Sequence, residues 1–175
     1  MTLKADDRGV VLLITGDGKG KTTSALGQTF RALGYGWKVC FLQFIKVEWP
    51  TGEKTLARKF EGQLFFRSLG KGFTWEGELA EHIKAGREAF EFARGKINSD
   101  EYDLVVLDEL TYLVRYEMIT EQDVIDLIRN RPQRLNLMIT GRNATQRVMD
   151  ECDIVSEVRP IKFPQDTPAR KGIEY

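Results

Sequence analysis

The residues of this chain whose types and spacing can do chemistry begin with Thr15-Gly16-Asp17-Gly18-Lys19-Gly20-Lys21-Thr22-Thr23. Glycines let a backbone approach an anion closely and turn its N–H groups inward, and a helix that follows presents its positive end to the same charge. In such a loop Lys21 supplies a point charge to a triphosphate, and the Thr22 hydroxyl is a ligand for Mg²⁺. A lysine-bearing glycine segment by itself could be a solvated turn. Here the apolar run Val10–Ile14 precedes it and a helical pattern of Leu26, Phe30 and Leu33 follows, so strand, turn and helix stand in the order a phosphate loop needs. The common pattern places a glycine five positions before the Gly-Lys pair. That position is Thr15, so with Gly16 in the first-glycine role the loop is one residue short and carries a second lysine, Lys19.

A second stretch, Leu104-Val105-Val106-Leu107-Asp108-Glu109, is an apolar strand ending in two carboxylates. It puts acid at the C-terminal edge of a parallel sheet, where open α/β sheets bind ligands, and Asp108 and Glu109 there can hold Mg²⁺ directly or through water, opposite Thr22. Leu135–Thr140 is another strand, and it runs into Gly141-Arg142 at the same kind of edge. Arg142 either faces a phosphate or is an ordinary loop arginine. His82, the only histidine, sits beside a helical apolar stripe and is read as a surface or core residue without a chemical role.

Strands and helices alternate around these motifs. Gly34-Tyr35-Gly36 ends the first helix, Val39–Phe44 reads as a buried strand, and a loop through Trp49-Pro50-Thr51-Gly52 leads to a short helix near Lys54–Phe60. Leu64-Phe65-Phe66 is the next strand. A glycine-bounded loop, Gly70 to Gly77, precedes the longest helix, Glu78–Ile97, whose stripe is Leu79, Ile83, Gly86, Phe90, Ala93 and Ile97. Thr120 opens a further helix with Asp123 as capping partner and Val124, Leu127 and Ile128 on its buried face, and Pro132 marks its end. Ala144–Cys152 is a short helix, and Ile154–Val158 is the last strand. The pattern predicts an α/β fold, a doubly wound, mainly parallel sheet of about six strands of the P-loop NTPase kind. The expected organisation is one P-loop domain over 1–175, with a short N-terminal arm (1–8) and an extended tail (160–175).

Composition narrows the partners. Lys plus Arg and Asp plus Glu both total 26 in 175 residues, so the net charge is zero and no global field draws the chain to nucleic acid or anionic membrane. The two cysteines, Cys40 and Cys152, lack metal-ligand spacing and read as core thiols of a reducing compartment. With no apolar signal core at the N-terminus, the expected location is cytoplasmic.

The segments Gly16–Thr23, Gln43-Phe44-Ile45-Lys46, Gly72-Phe73-Thr74-Trp75, Leu107-Asp108-Glu109-Leu110-Thr111-Tyr112, Ile139-Thr140-Gly141-Arg142 and Ser156-Glu157-Val158-Arg159-Pro160 occur in that order. Taken together they closely resemble the phosphate-loop type of corrinoid adenosyltransferase, acting on cob(I)alamin or cob(I)yrinic acid a,c-diamide. The resemblance covers nearly the whole chain. It implies transfer of the 5′-deoxyadenosyl group of MgATP to the cobalt of a reduced corrinoid with release of triphosphate, the shortened loop holding ATP in reversed orientation. By motif position, Gly16, Asp17, Gly18, Lys19, Gly20, Lys21, Thr22 and Thr23 would cradle the triphosphate. Thr22 and Glu109 would hold Mg²⁺ with support from Asp108, and Lys21 and Glu109 would carry catalysis. Phe73 and Trp75 would form the apolar wall against the corrin, and Arg31 is a further candidate for contact with ATP. The resemblance also implies a homodimer and a reductase that supplies the corrinoid's electron. The chain before Arg8 is shorter than the N-terminal segment that covers the site in some relatives, so closure would be weaker or supplied otherwise. Cob(I) is itself a strong nucleophile, so the step needs no serine, cysteine or histidine nucleophile and no base; the protein places the 5′ carbon and neutralises the leaving phosphates. Two other readings stay open at this level: a recombinase-like ATPase acting on nucleic acid or another partner, and a corrinoid or nucleotide sensor without turnover.

Overall fold

The structure is a computed structural model that describes residues 8–45, 50–70, 79–162 and 168–174. Strands β1 (Val11–Thr15), β2 (Val39–Gln43), β3 (Leu64–Ser68), β4 (Leu104–Asp108), β5 (Asn136–Thr140) and β6 (Ile154–Glu157) form one sheet in the order β3-β2-β4-β5-β1-β6. Every neighbouring pair is parallel, so the sheet is more uniform than the mainly parallel one expected. The helices are α1 (Lys21–Gly34), α2 (Gly52–Ala57, continued by a 3₁₀ turn Arg58–Phe60), α3 (Leu79–Asn98), α4 (Thr111–Arg115), α5 (Glu121–Arg129) and α6 (Gln146–Asp150).

The central strands β2 and β4 are buried at every position, which is why they read as unbroken apolar runs rather than as alternations. Alternation still decides which helix each side chain meets. Val11, Leu13, Cys40, Leu42, Val105, Leu107, Leu137 and Ile139 pack with residues of α3, α4, α5 and α6. Leu12, Ile14, Val39, Phe41, Leu104, Val106 and Met138 pack with Ala25, Ala32 and Leu33 of α1. Among the described residues, one face therefore carries four helices, while the other carries α1 and the short α2 with its turn. The lightly covered face leaves a groove beside α1, floored by Leu64 and Phe66 of β3.

The α3 stripe lies inward as its spacing predicts, with Gly86, Phe90, Ala93 and Ile97 buried; a Cβ on Gly86 would lie 2.4 Å from the Met118 sulfur, so α3 crosses closely there. Thr120 caps α5 in the expected reciprocal box with Asp123. Several boundaries differ from those predicted. The short helix before β3 begins at Gly52 and tightens into a 3₁₀ turn. The last helix covers only Gln146–Asp150, because the Thr145 side chain accepts from Val148 N–H and starts it there. Helix α4, directly after the paired acids, has no sequence signal of its own: five residues are too few to show a period.

Candidate active site

The site forms where β1, β4 and β5 end on one edge of the sheet. At the end of β1 the chain turns through Gly16, at φ 96°, and enters α1 through Gly20, at φ 121°; both values favour glycine. A Cβ on Gly16 would lie 2.5 Å from the Val158 carbonyl oxygen, so the loop also runs too close to the end of β6 for any side chain. Gly18 N–H donates to that oxygen at 2.7 Å, and Val158 N–H donates to Thr15 O at 2.8 Å, fastening the loop to the last strand. α1 has no side-chain cap and no acidic residue in its first turn. Its first N–H groups and its positive end are thus left to an anion from outside the helix.

Lys21 Nζ donates to the carbonyls of Gly16 and Gly18, 2.7 Å to each, so the lysine holds the curl of its own loop. Its pKa is lowered, by burial first and by the nearby Arg142 guanidinium second, with Asp17, Glu109 and Asp108 pulling the other way. Lys19 pairs with Glu174, which brings the described end of the tail across the loop.

Asp108 is completely buried, and its neighbours follow from strand register. Gln43 of β2 lies opposite it, and Leu107 opposite Ile139 brings Thr140 alongside. Gln43 Nε2 and Thr22 Oγ1 both donate to Asp108 Oδ2 at 3.2 Å, and Thr140 Oγ1 donates to Oδ1 at 2.7 Å. With both oxygens accepting, Asp108 serves to orient Thr22 and the sheet edge. Thr140 Oγ1 also accepts from Glu109 N–H at 2.9 Å. This bond holds Glu109 in a left-handed conformation, φ 66°, uncommon for a non-glycine residue.

Together these groups open onto a cleft of about 940 Å³. Its polar end is lined by Asp17–Thr23, Glu109, Tyr112 and Arg142, and its apolar end by Leu26, Phe30, Leu33, Leu56, Phe60 and Phe66 along the α1 groove. Oxygen donors from Thr22 and Glu109 at one mouth, with Asp108 behind, are the hard set that Mg²⁺ prefers. The described lining contains no serine, cysteine or histidine. Cys40 is fully buried in the core and Cys152 packs partly buried against it; burial pushes the Cys40 thiol up to about 12 and Cys152 up to about 11.

The structure thus brings together Gly16, Asp17, Gly18, Lys19, Gly20, Lys21, Thr22, Thr23, Asp108, Glu109 and Arg142. Arg31 is not in the described lining: it lies ten residues along α1 from Lys21, about 15 Å at helical rise, and its guanidinium donates to Gln28. His82 is half-buried on α3 and outside the described lining. Phe73 and Trp75 fall outside the described residues. Sequence reasoning assigned no role to Gln43, Thr140 or Thr111, whose hydroxyl donates to Arg142 O at 2.7 Å. A polar residue ending an otherwise apolar buried strand, as Gln43 and Thr140 do, was the available signal.

The family described as ATP:corrinoid adenosyltransferase BtuR/CobO/CobP matches residues 7–175. The corrinoid adenosyltransferase of Escherichia coli strain K12 is 39% identical over 173 residues, spanning 97% of this chain and 87% of the relative. The corrinoid adenosyltransferase CobA of Salmonella typhimurium strain LT2 gives the same identity and coverage, and the corrinoid adenosyltransferase of Pseudomonas aeruginosa is 36% identical over 97% of this chain and 85% of its own length. Among solved structures, the flagellar accessory protein FlaH from Methanocaldococcus jannaschii superposes with a TM-score of 0.59 over 89% of this chain and 78% of its own, at 12% identity, a likeness of fold alone.

Proposed function

The chain belongs to the ATP:corrinoid adenosyltransferase family, and from that premise we propose that it moves the 5′-deoxyadenosyl group of MgATP to the cobalt of a reduced corrinoid, cob(I)alamin or cob(I)yrinic acid a,c-diamide, and releases triphosphate. The observation that carries this reading is the union of an uncapped α1 N-terminus, Lys21 and the Thr22–Asp108 pair at one mouth of the cleft.

On this reading the first-turn N–H groups of α1 and the loop from Gly16 to Thr23 receive the phosphate chain, and Lys21 exchanges its two loop carbonyls for phosphate oxygens. Thr22 and Glu109 hold Mg²⁺, which when bound makes triphosphate a better leaving group. Asp108 keeps Thr22 in place through the 3.2 Å bond and is itself fixed by Gln43 and Thr140. The corrinoid brings the nucleophile, so the protein's work is to align the 5′ carbon with cobalt and to offset charge on the departing phosphates. Phe73 and Trp75 supply the apolar wall for the corrin. A homodimer, an electron-supplying reductase, a cytoplasmic setting and a single P-loop domain over 1–175 complete the proposal. Among the described residues no helix is long and apolar enough to cross a membrane.

The test is anaerobic. Chemically reduced cob(I)alamin, MgATP and the protein are mixed, the corrinoid spectrum is followed, and triphosphate is assayed. Light-sensitive adenosylcobalamin with stoichiometric triphosphate is the expected outcome. Release of inorganic phosphate without an adenosylated product would overturn it and turn attention to nucleic-acid-stimulated hydrolysis.

A further inference from the structure

Arg142 sits on a main chain fixed from two sides. Gly141 before it has φ 148°, and a Cβ there would lie 1.9 Å from Thr111 Oγ1, so the chain passes α4 at a distance that only glycine allows. Gly141 N–H donates to Ile14 O at 3.2 Å, tying the turn to β1, and the Thr111 hydroxyl donates to Arg142 O at 2.7 Å. The side chain lines the cleft beside Lys21, Glu109 and Tyr112, half-exposed at 46%. Its ion pair with Asp17 is long, 3.8 Å, and Asp17 is 67% exposed, so that contact holds the guanidinium weakly. Arg142 also disfavours the charged form of Lys21, second only to burial. Two cations directed into one cleft repel each other unless an anion lies between them. Lys19, the loop's other cation, is already matched by Glu174, whereas Lys21 donates to the Gly16 and Gly18 carbonyls and Arg142 meets Asp17 only at 3.8 Å, with the Asp17 and Glu109 carboxylates on the same lining.

We propose that Arg142 is a further binding residue of the triphosphate site, its planar fork gripping the phosphate chain of ATP and neutralising charge on the triphosphate as the C5′–O bond breaks and its electrons pass to the phosphate oxygen. This rests on the phosphate-loop reading given above. A guanidinium suits the task because it presents paired donors to phosphate oxygens and stays charged in a crowd of other cations. The rigid Gly141–Thr111 seat explains how a residue outside the loop reaches the same anion from the opposite wall.

The experiment is calorimetric titration of magnesium tripolyphosphate into the wild-type protein and its Arg142→Met and Arg142→Lys variants, with thermal melting alongside. Methionine keeps the stem and the main-chain bond to Thr111 while removing the charge. Arg142→Met is expected to weaken binding roughly ten- to hundredfold with an unchanged melting temperature, the loss of one charge-assisted contact. Arg142→Lys is expected to recover part of it as a point charge. Binding by Arg142→Met within twofold of wild type overturns the inference while leaving the loop reading intact. A lowered melting temperature with no recovery by lysine overturns it in favour of a structural role. Failure of the wild-type protein to bind tripolyphosphate removes the loop reading, and the inference with it.

Discussion

Thr140→Val is the sharpest test of how the sheet edge holds the site. The exchange is nearly isosteric, and Thr140 is fully buried, so shape is conserved while two hydrogen bonds disappear: its donation to Asp108 Oδ1 at 2.7 Å and its acceptance from Glu109 N–H at 2.9 Å. An orphaned backbone N–H costs about 1–3 kcal/mol, and a lost bond to a carboxylate costs about 1.5–3 kcal/mol. A methyl in place of a hydroxyl returns about 1 kcal/mol, so the net loss is roughly 1.5–5 kcal/mol. Against a domain stability of about 5–15 kcal/mol, a net loss in the middle of its range leaves the variant folded. In urea, with a slope near 2 kcal/mol/M, the midpoint falls by roughly 0.8–2.5 M. Adenosylation falls as well, because Glu109 loses the bond that keeps it in its left-handed conformation. Thr140→Ser, which keeps the hydroxyl, stays close to wild type in activity. A Thr140→Val cost under about 1 kcal/mol with full turnover would refute the reasoning, since the hydroxyl would then not be what positions Asp108 and Glu109.

Trp75→Ala is expected to impair adenosylation of cob(I)alamin while leaving ATP affinity nearly unchanged; equal turnover by the variant on a base-on corrinoid removes the proposed wall. Burial raises the Cys40 and Cys152 thiols to about 12 and about 11, so at pH 8 the native protein resists iodoacetamide and labels only in denaturant, as mass spectrometry would report. Rapid native labelling contradicts this. Thr120→Ala removes the capping box of α5 and costs about 1 kcal/mol in chemical denaturation at neutral pH. The Asp123 carboxyl is held below its ordinary range by the side-chain and backbone hydrogen bonds from Thr120. Its stabilising contribution is therefore present above the unfolded value near about 4 and is lost as pH falls through the lowered native value, so the gap between wild type and Thr120→Ala narrows in acid. A gap independent of pH would argue that the carboxylate takes no part.

Much of this protein is local chemistry, and that part was legible in one dimension. The loop Gly16–Thr23 follows from φ values only glycine adopts readily and from a lysine and a threonine at fixed offsets. The all-apolar Leu104–Leu107 ending in acids follows from a strand buried on both faces and emerging at a ligand edge. Thr120 and Asp123 are three residues apart and satisfy each other's backbone. Each signal lies within a few residues of sequence, where spacing alone sets geometry.

What tertiary structure alone decided depends on sequence separations that no local pattern encodes. Asp108 is an orienting group because the register sets Gln43 opposite it and brings Thr140 alongside, 65 and 32 residues away. Loop and last strand are fastened through Val158, and Lys19 meets Glu174 from the tail, a separation of 155 residues. The main-chain seat of Arg142 depends on Gly141 meeting Thr111, a contact between the residue after β5 and a helix too short to announce itself. Among the described residues, the groove beside α1 lies on the sheet face that received fewer helices, a feature of how the elements pack rather than of any one residue. Sequence determined the chemical parts and the elements that carry them; strand order and register determined which parts meet, because parallel neighbours are chosen by packing over the whole sheet.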